Sequence, residues 1–177
     1  MSLAGCGESQ TVLEVGGSDE RHLWAGADGP LGRGFCLTMV RGRRPDVVVR
    51  AIGGKNEQRV RWAQVVGPGD GEQDTGRYLL GIAGFGRWTL LMEDGSGGLG
   101  MDAAIAGPLS EGTTVVAYRG DATGNGSRRG YRDGRIEVDV TDHTETAITY
   151  IEGQTGIQLT GALLARKEYL LVTVPKV

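Results

Sequence analysis

Cysteine, histidine, proline, phenylalanine and long apolar runs are all scarce in this chain of 177 residues. Two cysteines, Cys6 and Cys36, do not make a disulfide framework. Two histidines, His22 and His143, with the cysteines far apart, exclude a zinc site of the usual spacing. No run of about 18 apolar residues occurs, so no membrane-spanning helix is expected. The formal net charge is −3, so the overall basic footprint of a nucleic-acid binder is missing and nucleic acid is not the expected partner. Gly53-Gly54-Lys55-Asn56 lacks the upstream glycine and the Ser/Thr of a phosphate loop. Gly124 to Gly130 lacks dinucleotide-loop spacing, and no Gly-x-Ser-x-Gly elbow is present. No cofactor, metal or catalytic residue is therefore assigned. Leu3-Ala4-Gly5-Cys6 looks like a lipoprotein cleavage box, but basic and apolar segments upstream are missing. The expected location is the cytoplasm.

Glycine is abundant instead, at 32 residues without a period. Scattered glycines read as many turns joining short strands. Arginine far outnumbers lysine, which fits a GC-rich bacterial genome. Residues 1–20 are expected to be a partly ordered glycine-rich tail, with one strand at Thr11–Val15. Residues 21–177 are expected to form one domain.

The centre of the chain is Gly76 to Gly95, read as a hairpin with a Gly84-Phe85-Gly86 tip, because glycine accepts the positive φ of such a loop. Pairing Ala83 with Arg87 puts Ile82 opposite Trp88, Leu80 opposite Leu90, and Arg77 opposite Glu93. Gly34–Arg41 reads as an interior strand, since both of its faces are nearly apolar. Pro45–Ile52 reads as a short helix that opens on proline and Asp46 and stops at Gly53-Gly54. A strand is expected within Arg59–Val66 and a loop over Gly67–Gly76. A weak helix is expected at Met101–Leu109, which Pro108 opposes. Thr113–Arg119 reads as a strand.

Asp133-Gly134 signals a two-residue hairpin between Arg128–Arg132 and Arg135–Val140. There Tyr131 would face Ile136, Arg128 would face Asp139, and Ile136, Val138 and Val140 would point inward. Asp139, Asp142 and His143 read as a polar strand end, with Asp142 or Thr144 capping a helix that runs to Gln154. Thr160 would cap a second helix, Gly161–Lys167, before a final strand, Tyr169–Val174. Strands in the middle and helices near the end predict an α+β fold, a mostly antiparallel twisted sheet of about five to seven strands with two to four short helices.

Several short segments resemble an uncharacterised actinobacterial family, DUF6461. They are Phe35 to Gly42, Pro45-Asp46-Val47, Ile52-Gly53-Gly54, and Gly86-Arg87-Trp88 with Glu93 five residues after the tryptophan. Further on come Leu99-Gly100, Leu109-Ser110, Gly112-Thr113, Val115-Val116, Thr155 to Thr160 and Leu163-Leu164. The resemblance implies an actinobacterial source and a small soluble domain, and brings no activity.

The expected function is a non-enzymatic protein-binding module, immunity-like or regulatory. It would engage another protein through a sheet face or through Arg128, Arg129, Arg132 and Arg135. The alternative is a small-molecule-binding protein or cofactor-independent enzyme. Its pocket would lie beside Trp88, with Glu93 as the polar group and Arg77 across from it. A concave pocket reaching both Trp88 and Glu93 would favour that alternative.

Overall fold

A computed structural model describes residues 20–66, 76–95 and 97–176. The expected strand at Thr11–Val15, Cys6 and residues 67–75 of the expected loop lie outside them. Eight strands form one antiparallel sheet: β1 (Gly34–Arg41), β2 (Lys55–Arg61), β3 (Arg77–Phe85), β4 (Trp88–Asp94), β5 (Thr114–Asp121), β6 (Asn125–Arg132), β7 (Arg135–His143) and β8 (Glu168–Pro175). Their order across the sheet is β2-β8-β3-β4-β1-β5-β6-β7. The helices are α1 (Pro45–Ala51), α2 (Trp62–Val65), α3 (Ala103–Leu109), α4 (Thr144–Thr155) and α5 (Gly161–Arg166), with 3₁₀ turns at Glu20–Ala25 and Leu99–Met101. The fold is the expected α+β class, with more strands than expected.

Both faces of the sheet are covered. On one face, alternate residues such as Phe35, Leu37 and Met39 of β1 and Trp88, Leu90 and Met92 of β4 pack with Trp24, Trp62, Ile148, Ile151 and Leu164. That core lies under α2, α4, α5 and the first 3₁₀ turn. On the other face, Val40, Leu80, Ile82, Leu91 and Val115 pack with Val48, Val49, Leu99, Ile105 and Leu109. This second core lies under α1, α3 and the second 3₁₀ turn. β1 is the expected interior strand, between β4 and β5 and buried from Gly34 to Val40. Its two apolar faces serve the two cores.

The β3–β4 hairpin turns differently from the expectation. Phe85 pairs with Trp88, Ala83 with Leu90 and Ile82 with Leu91. The turn is therefore Gly86-Arg87, and its single positive φ at the first central residue, +60° at Gly86, fits a type II′ turn. The three-residue tip would have left Phe85 in the loop; this register buries it beside Trp88. It also separates the expected ion pair. Arg77 lies opposite Pro175 of β8, and Glu93 lies opposite Cys36 of β1.

The Asp133-Gly134 turn is as expected, with φ positive at both residues, +48° and +80°. Tyr131 faces Ile136, but a bulge between Gly130 and Tyr131 then shifts the register, so Arg129 rather than Arg128 faces Asp139. β7 is an edge strand. Ile136 and Val140 are 45% and 38% exposed instead of pointing inward, because no helix covers them. The expected strand after Arg59 is also shorter. β2 ends at Arg61, and Trp62 and Val65 turn one helical face onto the core beside Tyr169. Pro108 stands inside α3. In so short a helix it removes one hydrogen bond, the one Ala104's carbonyl would have accepted.

Candidate functional site

The arginine-bearing hairpin does not present a common surface. Arg128 and Arg129 are neighbours on a strand, so they point to opposite faces. Arg128 donates to Asp142 at 2.6 Å and lies 3.6 Å over the Tyr150 ring of α4. Arg129 donates to Asp139 at 3.0 Å and to the Met101 carbonyl at 2.7 Å. Each fastens a covering segment to its side of the sheet. Arg132 donates to Glu137 at 3.2 Å, and Arg135 is exposed. Asp142 is thus engaged with Arg128 rather than capping α4, whose N-cap is His143.

Glu93 is 2% exposed, and its carboxylate holds the backbone of Gly98 and Leu99. Oε1 accepts from Gly98 N at 3.1 Å and Oε2 from Leu99 N at 2.8 Å. A Cβ at Gly97 would collide with Oε1, so glycine there is a steric requirement. Tyr131 adds a bond to the Gly100 carbonyl at 2.7 Å, and Tyr78 one to Asp102 at 3.3 Å. Burial pushes the Glu93 carboxyl up to about 7, against the pull of the two N–H donors, the Cys36 thiol and Lys176. Burial likewise pushes the Cys36 thiol well above its ordinary value.

Trp88 and Glu93 do not meet. Five residues of strand separate them, about 17 Å, and an odd separation puts them on opposite faces. Arg77 is exposed at the far end of β3, away from both. Among the described residues, Trp88 and Glu93 therefore do not line a common pocket.

Concave surface lies instead around the hairpin tip, on either side of Gly86 and Arg87. A groove of about 710 Å³ runs between the tip and the α4–α5 region. Phe85, Trp88, Ile157 and Leu163 supply apolar lining, and Arg87, Arg166 and Lys167 supply charge. Lys167 donates to the Gly84 carbonyl at 2.7 Å and lies 4.7 Å over the Phe85 ring. A second depression of about 450 Å³ lies between the tip and the start of α1, lined by Arg41, Arg43, Arg44, Arg87, Pro45 and Trp88 among others. Neither depression has an aspartate or glutamate among its described lining residues. A concentration of one sign around concave surface raises the local potential and attracts the opposite sign.

The walls are fixed from behind. Glu152 of α4 accepts from Leu159 N at 2.7 Å, and Trp24 donates to the Leu159 carbonyl at 2.7 Å. Thr160 caps α5 by accepting from Leu163 N. His22, 3% exposed, places its two ring nitrogens 2.8 Å and 3.1 Å from Glu145 and Glu152. Among the described residues, no group of three or more His, Cys, Asp or Glu could hold a metal ion. Among them, too, no helix is long and apolar enough to cross a membrane.

Sequence reasoning placed Arg41 at the end of one strand and Trp88 within another. It missed Arg87, Arg166 and Lys167 as their neighbours. The available signal was the lone aromatic pair Phe85 and Trp88 flanking a glycine-arginine turn.

Fold and site together define an antiparallel α+β protein, helices on both faces, with a cation-lined recess at one end of its sheet. The chain belongs to the family of unknown function DUF6461, whose family model matches residues 18–142. That stretch includes Arg41 to Arg44 and Arg87, and ends before α4, α5, Arg166 and Lys167. No curated protein and no solved structure matches the chain.

Proposed function

We propose that this protein is a non-enzymatic binding module that seats an acidic segment of a partner protein at the tip of the β3–β4 hairpin. The observation that carries the reading is the lining of the two depressions. Arg41, Arg43, Arg44, Arg87, Arg166 and Lys167 gather there without a carboxylate, around the apolar surface of Phe85 and Trp88. A few buried aromatic and arginine anchors within a polar rim are what a protein interface needs. The chain as a whole is acidic, at −3, so the cationic tip is a local feature and favours an acidic peptide over a nucleic-acid backbone. An immunity-like or regulatory role in the cytoplasm belongs to the same proposal, and an actinobacterial source is supported by the family resemblance and the excess of arginine.

The test is affinity capture from lysate of the source organism with wild type, Arg87→Glu/Arg166→Glu and Arg132→Glu, followed by titration of the isolated partner. The expected result is one stoichiometric acidic protein, bound equally by wild type and Arg132→Glu. The double charge reversal should weaken it by more than about tenfold. Equal binding by the double variant would overturn the reading. So would a small molecule retained in the groove of the purified protein.

A further inference from the structure

The two depressions differ in chemistry. The α5-side groove is broad and partly apolar, whereas the α1-side recess is smaller and its charged lining is entirely arginine. Its frame is rigid. Gly42 N donates to the Arg87 carbonyl at 2.7 Å, Thr89 Oγ1 to the Arg43 carbonyl at 2.5 Å, and Thr113 Oγ1 to the Arg41 carbonyl at 2.9 Å. Arg43 is half-buried and anchored through Nη2 to the Glu111 carbonyl at 2.8 Å, which leaves its other N–H groups for a ligand. Arg44 contacts Asp46 at 3.3 Å in an exposed pair, a weak competitor. Arg41 and Arg87 make no ion pair among the described residues.

The four arginines that line this recess repel one another, and beyond the exposed Arg44–Asp46 pair no lining carboxylate offsets them. A group with two negative charges and several acceptor oxygens would. The guanidinium fork matches a phosphoryl group bidentately, and a phosphate monoester carries about −1.5 to −2 at pH 7. Trp88 and Arg87 line both depressions, so a phosphoryl group in the recess would leave its attached chain beside the apolar groove. Trp88 is 8% exposed, which offers an apolar wall but no face for stacking nucleic-acid bases. We propose that the α1-side recess binds the phosphoryl group of a phosphorylated side chain on the partner segment, whose flanking apolar residue occupies the groove beside Phe85 and Trp88. This rests on the binding-module reading and names what that module recognises.

The first experiment titrates the full chain with N-acetyl-phosphotyrosine amide, inorganic phosphate and N-acetyl-glutamate amide, read by ¹H–¹⁵N spectra of arginine Nε–H and tryptophan indole groups. The phosphotyrosine probe is expected to saturate, shifting Arg41, Arg43, Arg87 and Trp88 signals. It should bind roughly tenfold more tightly than inorganic phosphate, because the ring adds apolar contact. Arg43→Ala/Arg87→Ala should lose at least about tenfold, Arg41→Lys/Arg87→Lys should lose part by keeping charge without the fork, and Arg132→Ala should bind as wild type. Non-saturating shifts, or equal binding by the double alanine variant with an unchanged circular dichroism spectrum, would overturn the inference. Equal affinity for inorganic phosphate would reduce the recess to a free-oxyanion site and also overturn it. The second experiment treats the captured partner with phosphatase. Release supports the inference; retention of a partner that Arg87→Glu/Arg166→Glu still releases overturns it while leaving the module reading standing. Saturable phosphotyrosine binding with no charge-sensitive partner leaves the phosphoryl recess and overturns the module.

Discussion

Replacing Glu93 with glutamine should change the way stability depends on pH, and the direction follows from where the carboxyl sits. Glu93 is 2% exposed and its pKa is pushed from an ordinary 4.5 to about 7, chiefly by burial. The folded state therefore holds a proton that the unfolded chain releases. Below about pH 4.5 both states are protonated and the group costs nothing. Between 4.5 and about 7 only the unfolded chain ionises, so stability falls as pH rises. Above about 7 both states are ionised and the loss is complete. At about 1.4 kcal/mol per pH unit, the full loss is about 3 kcal/mol.

The groups around the carboxyl set the size of that window. Gly98 N and Leu99 N favour the ion, Lys176 favours it more weakly, and the Cys36 thiol bonds it across the β1–β4 pair. Glutamine keeps one acceptor and turns an amine towards the other N–H, at a pH-independent cost of about 1–3 kcal/mol. The measurement is urea unfolding of wild type and Glu93→Gln at a series of pH values from 4 to 8. The free-energy difference between them should move by about 3 kcal/mol in favour of the variant as pH rises. A flat difference, or a Glu93 ¹³Cδ titration centred near its ordinary value, would refute the reasoning.

Two further substitutions separate structural cations from solvated ones. Arg128→Ala removes a guanidinium whose pair with Asp142 has side-chain exposures of 13% and 17%, together with its stacking over Tyr150. Unfolding free energy should drop by about 2–3 kcal/mol. Arg132→Ala, exposed on the same strand, should cost under about 0.5 kcal/mol, and equal losses in chemical denaturation would contradict the burial argument. His22→Ala should cost about 2–3 kcal/mol, because it strips the ring from Glu145 and from Glu152, the residue that also holds Leu159 N. Faster amide exchange at Leu159 is expected with it, and unchanged exchange there would mean that His22 does not support the groove wall.

Patterning read the interior of this fold better than its boundaries. β1 was legible because two apolar faces in one eight-residue run demand an interior position. α5 was legible because Thr160 is a direct capping signal. The hairpin register was not, because Gly84 and Gly86 both permit a turn and only burial of Phe85 against Trp88 decides between them. The extra residue at Gly130–Tyr131 carries no sequence mark, yet it moved Asp139 from Arg128 to Arg129. The inward set on β7 failed because alternation names two faces without saying whether anything covers them. The recess was the least legible feature. Arg41, Arg87 and Arg166 lie in different thirds of the chain, and only the pairing of Arg41 with Trp88 across β1 and β4 brings the first two together.

The covered sheet also explains why recognition should fall at this hairpin tip. Helices cover both faces of the central strands, whereas β7 leaves Ile136 and Val140 exposed. The two edges are defended in different ways. β2 carries charge at Lys55, Glu57, Arg59 and Arg61 and a bulge, and β7 sets Glu137 and Asp139 along its length, both features that discourage an added strand. At the loop end of β4, Glu93 holds Gly98 and Leu99 by two backbone bonds. At the other end the Gly86-Arg87 turn carries an arginine with no ion pair among the described residues, and the cations beside it line concave surface. Like charges gathered where the chain has exhausted its other surfaces are unfavourable for folding alone. On the proposed reading a ligand of opposite charge offsets them, so charge reversal at Arg87 and Arg166 should weaken binding by more than about tenfold while leaving stability unchanged or slightly raised.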